Sequence, residues 1–202
     1  MRSVWIALCA VGALALSGCG YNTIQRQDEA VTSAWAEVLN QYQRRADLVP
    51  NLVATVQGYA KQEQTVLLGV TEARAKVGSI QVTPELLNDE AAMRKFQAAQ
   101  TELGTALKSL IAVSENYPDL KSNQNFLALQ SQLEGTENRI AVARNRFVDS
   151  VREYNVTIRS FPSNLTAMIF KYKTKPSFTV ENEAAVAKPP VVNFDTGPAK
   201  KN

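Results

Sequence analysis

The chain has 202 residues, of which 45% are hydrophobic and 20% are charged, and its formal net charge is +3. A charge so close to neutral gives no indication of nucleic-acid binding. The sequence has no histidine and only two cysteines, which excludes zinc sites built on these residues and every nucleophile that needs an imidazole base. Carboxylates alone could still support acid-base chemistry, but here they are scattered along helical faces. We therefore expect no catalytic residue, no metal, no cofactor and no enzyme activity.

The N-terminus predicts a bacterial lipoprotein signal. Residues 4–16 form an apolar run that is too short to cross a hydrocarbon core of about 30 Å. The run ends in the lipobox Leu16-Ser17-Gly18, whose small residues would let a signal peptidase reach the backbone before Cys19. We expect cleavage there and lipidation of Cys19. An uncleaved N-terminal membrane anchor is the alternative, and in either case the body is tethered to a membrane.

Apolar residues recur every seven positions from Val31 to Val77, which predicts a long helix packed against other helices. We expect this first helix to run from about Asp28 to Val77 and to end at Gly78. Pro50 lies inside it and removes one backbone hydrogen bond. The apolar residues stay in phase across Pro50, which favours a kinked continuous helix over two separate helices. The aromatic residues of the repeat are predicted to pack in the core rather than to form a ligand box: Trp35, Tyr42 and Tyr59.

Two further helices follow. Thr83 and Pro84 predict the N-cap and first residue of a second helix, which runs to about Asn116. A strict repeat of seven residues that begins at Phe126 predicts a third helix, ending near Ser160. Short connections make neighbouring helices antiparallel. The predicted fold is therefore all-α, an elongated antiparallel bundle of three to four long helices.

This pattern divides the chain into four parts. Residues 1–18 are the predicted signal peptide, 19–27 a lipidated tether, 28–170 the helical bundle and 171–202 an extended, largely mobile tail with many prolines and small residues. Three lysines near the start of the tail offer a weak indication of contact with anionic lipid headgroups, a solvated segment being the more ordinary interpretation: Lys171, Lys173 and Lys175.

Two blocks of sequence resemble the LemA family. The first, at residues 41–53, reads QYQRRADLVPNLV, and the second extends from Tyr117-Pro118 to residue 144. The resemblance covers most of the chain after Cys19. The polar and proline residues of these blocks are the candidate family-motif and structural residues: Arg44, Arg45, Asp47, Pro50, Asn51, Glu134, Glu137, Asn138, Arg139 and Arg144.

The resemblance implies a membrane-attached helical bundle in bacteria whose biochemical role is poorly established. Many relatives keep a transmembrane helix where this chain has a lipobox, so acyl chains would replace a protein anchor here. Gly20 rather than aspartate follows Cys19, which in a host with two membranes favours the periplasmic face of the outer membrane. The predicted location is thus the bacterial cell envelope.

Charged residues interrupt the otherwise apolar registers at four positions: Arg45, Glu63, Glu137 and Arg144. Unpaired burial of a charge is costly. If the first and third helices run parallel, Arg45 and Glu137 lie at the same level and form an inter-helical ion pair, extended by Asp47 or Glu134. A pair between Glu63 and Arg144 fits less well. The alternative is that these long side chains reach solvent at the edge of the seam.

These features predict a non-enzymatic envelope scaffold or adaptor, held to the membrane by its N-terminal lipid. Its partner would be a membrane or periplasmic protein, or a further copy of the chain, and not a nucleic acid. The alternative is a helical module that binds a small ligand or lipid near the Pro50 kink. Such a pocket would be lined by four residues: Tyr42, Val49, Val53 and Tyr59.

Overall fold

The computed structural model describes residues 2–178, with side chains described from Gly20 onward except at residues 84 and 85. All regular secondary structure within these residues is helical, so the predicted all-α fold is confirmed. The helices are α1 Arg2–Tyr59, α2 Gln64–Gly78, α3 Glu90–Ser114, α4 Pro118–Lys121, α5 Gln124–Arg159 and α6 Ser163–Ile169, with a 3-10 helix at Pro84–Asn88.

Helix α1 has 58 residues and is therefore about 87 Å long at 1.5 Å per residue. Its first residues include the predicted signal, but the side chains of the lipobox and of Cys19 lie outside the described ones. Pro50 lies inside α1 and does not divide it. Because Pro50 is exposed, the missing hydrogen bond is on a face that water can reach. Where side chains are described, no helix is long and apolar enough to cross a membrane.

The predicted continuity from Asp28 to Val77 is wrong, because the chain reverses at residues 60–63. The Glu63 amide donates to the Ala60 carbonyl at 3.1 Å, which closes a turn between α1 and α2. Helix α2 then ends at Gly78, as predicted. Residues 60–63 contain neither glycine nor proline, so ordinary turn chemistry does not mark the reversal.

Because of this reversal, α1 and α5 run antiparallel, and the predicted parallel arrangement is wrong. Helices α1, α2, α3 and α5 form an up-down-up-down bundle, the four-helix version of the prediction. Three contacts show the antiparallel arrangement, because the residue numbers increase along α1 while those of the partners decrease: Trp35 with Phe147, Arg45 with Glu137, and Tyr59 with Asn123.

The hydrophobic core has two parts along the length of the bundle. In the first, α1 and α5 contribute Trp35, Tyr42 and Phe147, and the rings of Trp35 and Tyr42 each lie 5.5 Å from that of Phe96 on α3. In the second, α1 packs against α2, the later part of α3 and the start of α5. Trp35 and Tyr42 are core residues, as predicted. Tyr59 is 45% exposed, so its predicted place in the core is wrong.

Side-chain caps determine where two helices begin. The Asp89 carboxylate accepts from the amides of Ala91 and Ala92 at 2.9 and 3.0 Å and caps α3. The predicted signal at Thr83 and Pro84 instead begins the short 3-10 helix, and the Thr83 side chain makes no capping bond. At α5, the Asn123 side chain accepts from the Phe126 amide at 3.0 Å.

A C-terminal strap, residues 171–178, follows α6 and lies along α1 and α5. Lys171 adopts a left-handed conformation with φ 58°, and the Tyr172 amide donates to the Ala167 carbonyl at 2.9 Å. These features form the motif that usually ends helices at glycine. The Asn155 side chain then exchanges two hydrogen bonds of 2.9 Å with the Lys175 backbone.

The tail was predicted to be mobile, but its described part, the strap, is packed against the bundle. Lys175 lies 2.9 Å from the Asp28 carboxylate with only 9% of its side chain exposed, so it does not face lipid headgroups. The Phe178 ring packs 5.3 Å from the Phe147 ring. Aromatic burial and a partly buried ion pair hold the strap, and neither can be predicted from the composition of the tail. The remainder of the predicted tail, residues 179–202, lies outside the described residues.

We expect Phe178→Ala to release the strap. The substitution removes ring contacts with Phe147 and Trp35 and should lower the free energy of unfolding by about 1–3 kcal/mol. Limited proteolysis should cleave the strap several-fold faster than in the parent protein. The exposed Thr174→Ala is the matched control. Equal cleavage rates in the parent and Phe178→Ala proteins would show that the ring does not hold the strap.

Alkaline unfolding tests the packing of Tyr154. Burial, followed by the Asp28 charge, raises the pKa of Tyr154 from 10.0 to about 12. Above pH 10 the unfolded state loses this proton first, so the free energy of unfolding falls as the pH rises from 10 to 12. Tyr154→Phe should remove about 2 kcal/mol of that fall, and the exposed Tyr59→Phe should not. Denaturant titrations at pH 9 and pH 12 make the comparison, and identical pH slopes for the parent and Tyr154→Phe would contradict it.

Candidate functional site: a groove between α3 and α5

A groove of about 950 Å³ runs between α3 and α5. Helix α3 packs mainly on α2, and α5 packs mainly on α1, so α3 and α5 do not close on each other. Tyr42 and Arg45 of α1 lie in the groove. Its walls combine aliphatic side chains with polar and charged ones of both signs. The aliphatic residues are Leu107, Ile111, Leu133, Ile140 and Val148.

Arg45 joins three helices at the centre of this groove. It is 4% exposed, and its Nη1 lies 3.1 Å from Glu137 Oε1 on α5. Its Nη2 donates to the carbonyl oxygen and to Oε1 of Gln100 on α3, at 2.9 and 2.5 Å. The guanidinium carbon also lies 5.1 Å from the centre of the Tyr42 ring. The ion pair expected from the charge pattern is thus present, and it is asymmetric because the Glu137 side chain is 43% exposed.

Two residues that line the groove each carry a buried donor that has no partner within the described part of the chain. The donors are Nε of Arg45 and Nε2 of Gln97, and both residues line the groove. An unsatisfied buried donor costs roughly 1–3 kcal/mol. A carboxylate or carbonyl oxygen that reached either donor would recover part of this cost. Burial also raises the pKa of Tyr42, so its hydroxyl stays neutral and does not compete as an anion.

Five of the predicted polar residues meet in the groove: Arg45, Glu134, Glu137, Asn138 and Arg144. The predicted extension of the ion pair is not made, since Gln43 donates to Asp47 at 2.8 Å and Gln130 donates to Glu134 at 3.0 Å. Each of these bonds joins residues one turn apart on the same helix. Gln100 is the second partner of Arg45 instead.

The predicted pair of Glu63 with Arg144 is wrong. Glu63 lies at the corner between α1 and α2, where it accepts a hydrogen bond of 3.1 Å from the Tyr117 hydroxyl. Arg144 lies near the middle of α5, and its guanidinium carbon is 4.6 Å from the centre of the Phe178 ring. The reversal at residues 60–63 places Glu63 at the far end of the bundle from the strap, out of reach of Arg144.

The remaining motif residues lie outside the groove. Arg139 is exposed and donates to the Gln41 side chain at 3.3 Å, at the edge between α1 and α5. Four residues are exposed on α1 near its proline: Arg44, Asp47, Pro50 and Asn51.

The predicted pocket near Pro50 is also wrong. Val49 is buried in the second core and Val53 packs against it, while Tyr59 is exposed. Tyr42 alone of the four predicted lining residues borders the groove. The exposed proline disturbs the solvent side of α1, so it opens no space on the packed side.

Sequence reasoning missed the contribution of α3. Gln100 lies seven residues after Met93 and seven before Leu107, and both of these are buried. The signal in the sequence was a polar glutamine at an otherwise apolar position of the repeat. The charged residues that interrupt the other helices are signals of the same kind. Gln97 and Gly104 share the next register and also line the groove.

Fold and groove together define an all-α, four-helix rod with a polar centre and an open side. A sequence model of the LemA family matches residues 34–194, and the chain belongs to the LemA family. Within the described residues, no group of three or more histidine, cysteine, aspartate or glutamate residues is placed to hold a metal ion.

Similar proteins include three with magnetosome names. Magnetosome protein MamQ of Magnetospirillum gryphiswaldense is 31% identical over 147 residues, which cover 65% of this chain and 54% of that protein. Magnetosome proteins MamQ 2 and MamQ 1 of Paramagnetospirillum magneticum are each 27% identical over 174 residues, which cover 78% of this chain and 64% of theirs. The chain thus spans between about half and two thirds of these relatives. Family and relatives support a membrane-associated LemA-type protein.

We expect Arg45→Leu to destabilise the bundle. The change removes the bonds to Glu137 and Gln100 and should lower the free energy of unfolding by about 1–3 kcal/mol. The neighbouring Arg44→Leu is the matched control, since Arg44 is exposed. Thermal and urea unfolding give the comparison. An unchanged melting temperature for Arg45→Leu would refute the structural role of the ion pair.

Gly104→Ala should have the opposite effect. A Cβ at Gly104 meets Arg45 Nη1 at 3.5 Å, an ordinary contact. The residue lies in the interior of α3, where alanine is favoured over glycine by about 1 kcal/mol. Urea unfolding should show a gain of that order. Gly69→Ala in the interior of α2, where an added Cβ meets nothing within 4 Å, should gain similarly. A loss confined to position 104 would mean that the Arg45 guanidinium tolerates no neighbour.

Proposed function

We propose that this protein is a non-enzymatic lipoprotein of the bacterial cell envelope that acts as a membrane-anchored scaffold or adaptor. In this proposal, lipid on Cys19 holds the rod at the membrane and the groove between α3 and α5 receives a segment of a partner protein. The observation that carries the proposal is the open groove itself, with a buried arginine at its centre and buried donors that have no partner among the described residues.

The anchor is argued from the sequence. The lipobox at residues 16–18 directly precedes Cys19, and the apolar run before it is short. Membership of the LemA family, with relatives named as magnetosome proteins, supports an association with a membrane. Gly20 follows the cysteine, so in a host with two membranes we place the protein on the periplasmic face of the outer membrane.

The partner is argued from the lining of the groove. Aliphatic residues along both walls would bury apolar side chains of a partner segment, and Lys108 and Arg144 lie on opposite walls beside them. The central donors of Arg45 and Gln97 favour a carbonyl or carboxylate oxygen at mid-length. A polypeptide segment that presents an acidic side chain between apolar ones matches this pattern. It is the occupant that we propose.

A second candidate is a small acidic ligand bound in the same groove. The unpaired donors favour it, and a volume of about 950 Å³ is at the upper end of the range for small-molecule sites. This ligand would replace the predicted one near Pro50. The groove is open along one side, which favours an elongated occupant over a compact one.

Crosslinking in intact cells, followed by affinity purification and mass spectrometry, tests the proposal. Four proteins are compared: the parent, Cys19→Ser, Gly104→Leu and Gly104→Ala. Leucine at position 104 would project beside Arg45 and obstruct the groove, whereas alanine adds one methyl group and is the matched control. We expect a stoichiometric partner with the parent and Gly104→Ala, and several-fold less with Gly104→Leu and with the unanchored Cys19→Ser.

Other outcomes change the assignment. Recovery of the protein alone or only of its own oligomers would contradict the adaptor and favour self-association or a small ligand. A partner that is retained equally by Gly104→Leu would place the interaction elsewhere on the bundle. Melting temperatures of all four proteins, measured beforehand, separate loss of binding from loss of folding.

A further inference from the structure

One end of the bundle exposes a cluster of large apolar side chains. Among the described residues, the three most exposed large hydrophobic ones are Phe161, Ile169 and Met168, at 77%, 74% and 71%. Phe170 and Leu165 beside them are 56% and 49% exposed. We call these five residues the apolar cap. Soluble monomers rarely expose so many apolar groups contiguously, and such patches usually mark an interaction surface.

The apolar cap lies beside the point at which α1 enters the bundle. Gly20 lies against α6, so that a Cβ there would be 3.2 Å from the Thr166 hydroxyl oxygen. The ring of Tyr21 lies 4.9 Å from that of Phe170. On its other side α6 is packed, with Thr166 and Ala167 buried. The cap therefore borders the residue that follows Cys19, and whatever membrane holds the N-terminus lies beside it.

The charged residues of the segment that carries the cap are of one sign. From Arg159 to Phe178 the sequence contains no aspartate or glutamate. Arg159, Lys171 and Lys173 are exposed in this stretch, while Lys175 is paired with Asp28. Basic residues that flank exposed apolar ones complement anionic lipid headgroups. This charge, together with the position beside the anchor, favours a bilayer over a second protein chain as the occupant.

We propose that the apolar cap inserts into the surface of the membrane and fixes the bundle end-on to it. The proposal rests on the membrane attachment of the proposed function and adds a second contact to it. A lipid on Cys19 holds the rod at one point only, so by itself it does not fix the angle between the rod and the bilayer. With the cap inserted, Arg159, Lys171 and Lys173 contact the headgroups, and α1 and α5 project away from the bilayer.

Tryptophan depth measurements test the insertion. The full-length lipidated protein is reconstituted into vesicles of phosphatidylethanolamine and phosphatidylglycerol, with and without bromine on the acyl chains. Ile169→Trp places a probe in the cap. Leu127→Trp is the matched control, because Leu127 is 48% exposed near the opposite end of α5. We expect brominated lipid to quench the added emission of Ile169→Trp at least threefold more than that of Leu127→Trp.

The possible outcomes distinguish insertion of the cap from anchoring by the lipid on Cys19. Protein that floats with the vesicles but shows equal, weak quenching at both positions would retain the anchor and refute the insertion of the cap. If neither protein floats with the vesicles, both proposals are wrong. If quenching is absent and crosslinking joins the caps of two molecules, the patch binds a second copy of the chain. This result would also overturn insertion.

Discussion

Helices α1 and α5 lie antiparallel along the length of the bundle, from the contact of Trp35 with Phe147 to that of Tyr59 with Asn123. Helices α2 and α3 form a hairpin that covers mainly the part of this pair beyond Arg45, and the strap covers the other part. The rod is therefore asymmetric along its length. One section is a four-helix bundle, and the other is a helix pair completed by the 3-10 helix, the start of α3, the strap and α6.

Arg45 shows how a buried charge can be accommodated without a symmetric partner. The Glu137 carboxylate is partly exposed, so it keeps some hydration, and the Gln100 carbonyl supplies the second acceptor. This arrangement reduces the desolvation that makes fully buried ion pairs costly. It also ties α3 to the α1–α5 pair near the place where α3 and α5 separate.

The pairing of Arg45 with Glu137 was expected from parallel helices, and it is made by antiparallel ones, so the charge pattern was informative and the assumed geometry was wrong. Periodicity in the sequence is sufficient to predict the helical class, the end of α2 and the core aromatic residues Trp35 and Tyr42. These depend on which face of a helix a residue occupies. The turn at residues 60–63 could not be predicted in the same way, because its residues are compatible with a helix and tertiary packing decides where α1 ends. For the same reason Gln100 was missed as a partner, since its level against Arg45 depends on that turn. The strap was missed because its affinity for the bundle resides in Asp28, Asn155 and Phe147, which lie far away in the sequence.

The uninterrupted course of α1 has a consequence for which partners can reach the groove. Arg45 lies 25 residues after Gly20 on one helix, a rise of about 38 Å at 1.5 Å per residue. If the bundle stands end-on, the groove is held at that height, beyond the headgroups and beyond short extramembrane loops. The rigid helix then sets the distance between the groove and the bilayer. A partner is selected by how far it extends from the bilayer as well as by its chemistry.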